Sequence, residues 1–303
     1  MLPLCPLWLN VHVENEFVNP NGQNSQPVAV TRSSRPSNIW LIIVAGLFII
    51  VPFLTWYLTW FGRGLSDDDI ARYLVDESNP RHMQHALLQV EDRIERNDGT
   101  ATRFYPQIVA AARSSVPEVR KTAAWVMGQD NQSQDFHVGL LGLLKDTEPL
   151  VRRNAALQLV RFGDASGRPE LRAMLQPFEA KCPIAGTIIS LLPVGSNIRG
   201  GAMLARLRDS ANNLYEFRSP VDGKISAPVV AKEGDPIIGN QTVAWLNPDR
   251  TTILDALRAL AYVGTKEDLP LVESCAQIDA SAETASQAAF TKKMIENRSN
   301  GSI

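Results

Sequence analysis

The chain has 303 residues, a length that allows two domains, and 45% of the residues are hydrophobic, enough for a packed core. Its formal net charge of -2 offers no broad basic surface, so nucleic acid is not expected as a partner. The three cysteines, Cys5, Cys182 and Cys275, are odd in number and far apart, which excludes a disulfide framework.

The first strongly patterned segment is apolar. Ile39 to Trp60 contains no charged residue, and at 1.5 Å per residue it would cover a hydrocarbon core of about 30 Å. Trp40 at one end and Trp56 near the other suit a lipid–water interface. The sequence therefore predicts one transmembrane helix over 38–61. Arginines flank both sides, so the positive-inside rule leaves its orientation open.

A repeat follows the apolar segment. Pro80, Pro117 and Pro149 each come after a short polar turn. Proline suits the first helical position because that N–H has no partner within the helix, so each is expected to open an amphipathic helix. A shorter helix is expected before each proline. The stretch Val119 to Ala124 is echoed by Val151 to Ala156. This spacing is typical of a stacked helical solenoid, placed at 66–176.

A second duplication lies between Cys182 and Leu246. Pro183 and Gly186 recur as Pro220 and Gly223, and the apolar runs after them are broken by glycines. Short runs with glycine and proline punctuation favour strands joined by tight turns. Two equal β halves of this size predict a small flattened barrel over 177–250.

The helical pattern resumes after the barrel. Thr251 to Tyr262 has the pattern of the second helix of a repeat whose first helix is Arg168 to Leu175. The barrel is therefore predicted to be inserted at a turn of the solenoid, a place that tolerates extra domains. Pro177 and Pro248 would stiffen both junctions and hold the barrel in one orientation. Helices over 251–297 complete the array, and residues 1–37 and 298–303 are expected to be tails, the first of them disordered.

Two resemblances support this organisation. Pro149 to Ala156 resembles the second helix of HEAT-type repeats. The pattern "Pro-x-x-Gly, strand, Gly-Asp-x-x-x-Gly, strand" resembles the biotinyl/lipoyl-attachment fold, in the version found in periplasmic adaptor (membrane-fusion) proteins. Carrier members have a lysine on the hairpin between the halves. That position here is Asn212, and the hairpin Asp209 to Arg218 contains no lysine. The resemblance thus implies the fold without a covalent cofactor, and no cofactor is expected.

Nothing in the sequence assembles an active site, so an enzyme is not expected. His82 and His85 share a helix face, but no further ligand with metal-site spacing follows, and no metal is predicted. Cys182 and Cys275 are expected to be small core residues. Basic residues recur at matching positions of two repeats and form a possible docking stripe for an anionic partner: Arg120, Lys121, Arg152 and Arg153.

The predicted fold is therefore α+β: a single N-terminal transmembrane helix and a HEAT-like α-α solenoid interrupted by a small biotinyl/lipoyl-like barrel sandwich. The predicted function is a membrane-anchored, non-catalytic scaffold whose partners are the lipid bilayer and a protein of a membrane complex. Two alternatives stay open. One is a periplasmic-adaptor-like accessory of an efflux or secretion transporter. The other is a carrier domain, or a HEAT-like lyase, linked to an enzyme.

Overall fold

The computed structural model describes residues 39–56, 64–226 and 232–301. The chain divides into two compact units, Met1–Arg63 and Gly64–Ile303. In the first unit the described element is helix α1, Ile39–Trp56. The predicted disordered tail at 1–37 lies outside the described residues.

The prediction of a membrane-spanning helix is wrong. Helix α1 has 18 residues, and residue 38 and residues 57–61 of the predicted span lie outside the described residues. Among the residues that the structure describes, no helix is both long enough and apolar enough to cross a membrane. The prediction of a single-pass membrane localisation is therefore wrong, and the described residues give no support for the predicted lipid partner.

The second unit begins with stacked helices, and its prolines start helices as predicted. Pro80, Pro117 and Pro149 each stand at the first helical position. The buried faces of successive helices share one hydrophobic core that includes Leu87 and Phe136. The helices of this part are α2 (Asp67–Leu74), α3 (Pro80–Glu95), α4 (Tyr105–Ala111), α5 (Pro117–Met127), α6 (Gln134–Leu143), α7 (Pro149–Leu159) and α8 (Arg168–Met174).

In the described part of the chain, eight short strands follow α8, and they form two antiparallel sheets around a separate core. The strands are β1 (Phe178–Cys182), β2 (Gly186–Leu191), β3 (Asn197–Ile198), β4 (Met203–Arg208), β5 (Leu214–Arg218), β6 (Gly223–Ser226), β7 (Pro236–Ile237) and β8 (Gln241–Asn247). One sheet has the order β1-β8-β6-β3 and the other has the order β5-β4-β2-β7.

The predicted barrel is corrected by this topology. Each sheet is open, and the strands of one sheet are not hydrogen-bonded as neighbours to strands of the other. Strands β3 and β7 at two of the edges have only two residues each, too few to close a continuous ladder. The element is an open sandwich of two sheets, and we call it the β sandwich.

The predicted duplication is visible in the β sandwich. If β1, β2, β3 and β4 trade places with β5, β6, β7 and β8 in that order, the strand order of one sheet becomes that of the other. The turns repeat as well: the Gly195 N–H donates to the Ile225 carbonyl at 2.8 Å, and the Gly234 N–H donates to the Ile188 carbonyl at 2.8 Å. Both glycines adopt positive φ, 89° and 90°, a region that glycine reaches without steric cost.

Helices resume after β8, and the first of them packs against α8. Leu171 of α8 and Leu257 and Leu260 of the next helix belong to one buried cluster. Arg168 and Arg172 of α8 also bind the carboxylate of Asp268. These last helices are α9 (Arg250–Val263), α10 (Leu269–Ile278) and α11 (Ala282–Ser299). The β sandwich thus lies in the chain between two helices that are packed together.

Candidate functional site

A groove of about 700 Å³ lies between the helical repeats and the β sandwich. Its helical wall is formed by the first turns of α5 and α7 and the turn before α7, including Glu118, Lys121 and Leu150. Its other wall is formed by β1 and β5 and by the turn after β5. A cleft of this size is within the range of ligand-binding pockets.

The helical wall follows from the repeated prolines. The residue before a proline is biased toward extended backbone, and Val116 and Glu148 are both extended, with ψ of 115° and 120°. Helices α5 and α7 therefore start at equivalent points, and α5 and α7 pack side by side. Their first turns lie next to each other at the groove.

The β wall consists of edge strands. Strand β1 ends one sheet and β5 ends the other, and each has five residues. Ser219, just after β5, forms two backbone hydrogen bonds with the segment before β4. Its N–H donates to the Ala202 carbonyl at 2.8 Å, and its carbonyl accepts from the Gly201 N–H at 2.8 Å. Backbone groups alternate in direction along a strand, so the N–H and C=O of Glu216 point toward the open edge.

The charged side chains of the β wall neutralise one another. Lys181 pairs with Glu179 at 2.9 Å, and Arg218 pairs with Glu216 at 2.7 Å. Hydrogen bonds from the Thr242 hydroxyl and from Lys181 lower the pKa of Glu179. On the helical wall, Lys121 makes no ion pair with any described residue.

The structure separates the four basic residues of the predicted docking stripe. Arg120 binds both carboxylate oxygens of Asp146, at 2.6 and 2.8 Å, and this pair is largely buried. Arg152 donates to the Asp146 carbonyl and pairs with Glu170 at 3.1 Å. These two arginines are therefore engaged with neighbouring segments of the stack, although Arg152 also borders the groove with Lys121.

Arg153 is the most buried of the four, with 7% of its side chain exposed. Its guanidinium carbon lies 5.7 Å from the centre of the Phe178 ring. Burial lowers the pKa of Arg153, while the nearby carboxylates of Glu170 and Asp222 oppose that shift. Because Phe178 and Asp222 belong to the β sandwich, Arg153 lies where the sandwich meets the helices. The docking role of all four residues stays a prediction.

Asn212 lies at the tip of the hairpin between β4 and β5. It is exposed and has a φ of 67°, a left-handed conformation that asparagine tolerates better than most residues. The Arg208 guanidinium donates to its side-chain oxygen at 2.7 Å. Asp209 accepts from the backbone N–H groups of Ala211 and Asn213 and so shapes the turn. That this position carries no covalent group stays a prediction.

None of the described cysteines and histidines lines the groove. Cys182 and Cys275 are buried, as predicted for core residues, and neither forms a disulfide. Burial raises the pKa of the Cys275 thiol to about 11, so this thiol is protonated near neutral pH. His82 contacts Asp76 at 3.1 Å and stacks on Tyr73. Among the residues that the structure describes, no group of three or more His, Cys, Asp or Glu could hold a metal ion.

Sequence reasoning missed the β wall. It treated Leu214 to Arg218 as part of a connecting hairpin and began the duplicated unit at Cys182, so neither β1 nor β5 was recognised. The signal was present: Phe-Glu-Ala-Lys-Cys alternates in polarity, and Leu-Tyr-Glu-Phe-Arg does so from Tyr215 onward. The burial of both segments alternates over most of each strand. Period-two alternation is the pattern of a half-buried strand.

Comparison with known proteins bears on the helical part. A family model described as HEAT repeats matches residues 105–179, which run from α4 to the start of β1. The prediction of HEAT-type repeats is confirmed for this segment, which contributes the whole helical wall of the groove. No curated protein matches the chain.

Proposed function

We propose that this protein is a non-catalytic scaffold that binds a segment of another protein in the groove between its HEAT repeats and its β sandwich. HEAT repeats stack into extended surfaces that commonly bind other proteins. The observation that carries the proposal is the groove itself, because one wall is built from HEAT repeats and the other from two unpaired strand edges.

Strand addition is the binding mode that fits the β wall. An edge strand offers unpaired N–H and C=O groups, and an extended peptide can satisfy them by joining the sheet. Strand β5 offers about 17 Å of such an edge. Its short counterparts β3 and β7 offer only two residues each. We place the partner's segment along β5, with the first turns of α5 and α7 covering it.

Photocrosslinking in the cells that make the protein tests the proposal. A photoreactive amino acid replaces Lys121 on the helical wall or Lys181 on the β wall, and Phe290 on α11, which is 52% exposed, serves as the distant control. We expect the same partner protein to be captured from both groove positions and not from Phe290. If the partner is captured equally well from Phe290, or from neither wall of the groove, the groove is not the binding site.

A second pair of variants tests strand addition. Glu216→Pro removes a backbone N–H that points to the open edge, and proline is tolerated at such edge positions. Glu216→Thr changes the same side chain but keeps the N–H. We expect Glu216→Pro to abolish both groove crosslinks and Glu216→Thr to retain them. Equal loss in the two variants would indicate side-chain recognition instead of strand pairing.

A further inference from the structure

A row of apolar residues occupies matching positions on three neighbouring helices. Leu88, Trp125 and Leu157 each lie eight residues after the proline that starts α3, α5 or α7, and α5 packs against both α3 and α7. Leu157 is half-buried against the core of the last helices. Leu88 is 46% exposed and Trp125 is 42% exposed. The exposed part of the row is therefore Leu88 and Trp125.

Carboxylates border the exposed part of this row. The indole N–H of Trp125 donates to Glu91 at 3.2 Å. Glu91, Asp92 and Glu95 follow Leu88 on α3 at spacings of three, four and seven residues, which places them on the same side of the helix. Asp92 pairs with Arg96 at 2.7 Å. In the described part of the chain, neither Glu91 nor Glu95 has an ion-pair partner.

Burial and neighbouring carboxylates both act on the Glu91 side chain. Burial raises its pKa, and the nearby carboxylates of Glu95 and Asp92 raise it further, against the hydrogen bond from Trp125 that lowers it. A cation placed between Glu91 and Glu95 would relieve this repulsion. An apolar group beside it would cover the indole, and tryptophan is among the residue types that dominate binding energy at interfaces.

We propose that Leu88, Trp125, Glu91 and Glu95 form a second docking surface, whose occupant is an apolar protein segment flanked by lysine or arginine. The apolar residues of the segment cover Leu88 and Trp125, and its cations pair with Glu91 and Glu95. The charge of the surface selects this partner over an acidic one, because like charges across an interface are repelled. This surface does not use β5 and goes beyond the groove of the proposed function.

Fluorescence anisotropy with a defined probe tests the second surface. The probe is a labelled amphipathic synthetic peptide with leucine on one face and lysine on the other, and its control carries glutamate in place of lysine. We expect the lysine peptide alone to bind the full chain, and more weakly as salt rises. We expect Trp125→Ala and Glu95→Gln each to weaken binding, Trp125→Ala by about 10-fold or more. Circular dichroism checks that each variant is folded.

Matched variants separate specific from general attraction. Phe290→Ala removes an exposed aromatic residue on α11, and Glu216→Pro blocks the edge of β5; neither should change the affinity. Leu88→Ser and Glu95→Gln alter exposed groups, so they keep the test valid if Trp125→Ala fails to fold. Equal binding of the glutamate peptide would overturn the proposal. An affinity for the lysine peptide that stays unchanged in Leu88→Ser and Glu95→Gln would also overturn the proposal. A loss of affinity in Phe290→Ala as large as the loss in these two variants would overturn it as well.

Discussion

The arginines at matching positions of α5 and α7 bind neighbouring segments of the helical stack. Arg120 reaches the turn before α7, where it binds Asp146, and it also donates to the Ser114 carbonyl at 2.9 Å. Arg152 reaches Glu170 at the start of α8. A planar guanidinium can bind a carboxylate and a backbone carbonyl together, which lysine cannot do as well. The recurrence of arginine at this position therefore has a structural explanation.

Arg120→Ala should lower the free energy of unfolding by about 3 kcal/mol, because it leaves the carboxylate of Asp146 buried without its partner. Lys121→Ala, at the next position, should change it by less than about 0.5 kcal/mol. Urea denaturation followed by circular dichroism measures both. Similar losses in the two variants would mean that the Arg120–Asp146 pair does not stabilise the stack.

The same ion pair predicts a dependence on pH. Burial alone would raise the pKa of Asp146, but hydrogen bonds from Arg120 and from the Glu148 N–H outweigh it, and the pKa is lowered overall. A carboxylate with a lower pKa in the folded state stabilises the fold above its unfolded pKa, about 3.9. That contribution is lost as the pH falls through the folded value. Asp146→Asn should therefore lower the stability of the protein most near neutral pH. Melting curves should show a smaller difference between this variant and the wild type below about pH 4. A cost that is constant with pH would contradict this.

At the scale of the element, the two halves of the β sandwich place equivalent glycines under equivalent constraints. A Cβ at Gly186 would lie 2.6 Å from the Arg208 carbonyl oxygen, and a Cβ at Gly223 would lie 2.6 Å from the Asn247 carbonyl oxygen. Both contacts are with backbone, which cannot move aside as a flexible side chain could. The duplication thus preserves a close approach of two strands and not only a sequence pattern.

Gly186→Ala and Gly223→Ala should each destabilise the protein, by roughly 1–3 kcal/mol, because each forces a strand away from its neighbour. Gly142→Ala is the matched control: Gly142 is in helix α6 and has no atom within 4 Å of a Cβ built on it. That substitution should stabilise by about 0.5–1 kcal/mol, since alanine is the better helix former. Thermal unfolding measures all three, and a neutral Gly186 or Gly223 variant would contradict the equivalence.

At the scale of the whole described unit, the helices before and after the β sandwich are held together by one buried charge network. Asp268 is fully buried and binds Arg168 at 2.8 Å and Arg172 at 2.5 Å. Its carboxylate also accepts the Thr265 N–H at 2.8 Å. The two arginine contacts join positions 100 and 96 residues apart in the chain. The network therefore closes the helical stack across the inserted strands.

Asp268→Ala should loosen α8 to α11 more than the first repeats, because units of a solenoid interact mainly with their neighbours. Hydrogen exchange should become faster in α9 and α10, while the protection of α3 and α5 changes little. Glu267→Ala provides the control, since Glu267 also pairs with Arg168 but its side chain is 78% exposed. Uniform loss of protection along the stack would instead show that the whole unit opens as one.

Much of the helical architecture was predictable from local chemistry. The backbone N–H that proline lacks is not needed at a helix start, so Pro80, Pro117 and Pro149 marked three helix starts correctly. Glycines with positive φ marked the duplicated turns of the β sandwich for a similar reason. For the candidate site, the sequence identified Lys121 and Arg152 at the helical wall but not the β wall that faces them.

The amino-acid sequence by itself therefore determined the helix starts, the HEAT-type repeats and the two equal β halves, because each depends on the backbone preferences of a few adjacent residues. Only the tertiary structure decided that the two sheets stay open, that β1 and β5 are edges, and that Arg120 binds Asp146. Among the described residues, the structure also shows no helix that is long and apolar enough to cross a membrane. These outcomes depend on which segments lie side by side in the folded chain. The local sequence around a strand or an arginine does not specify which distant segment it will contact.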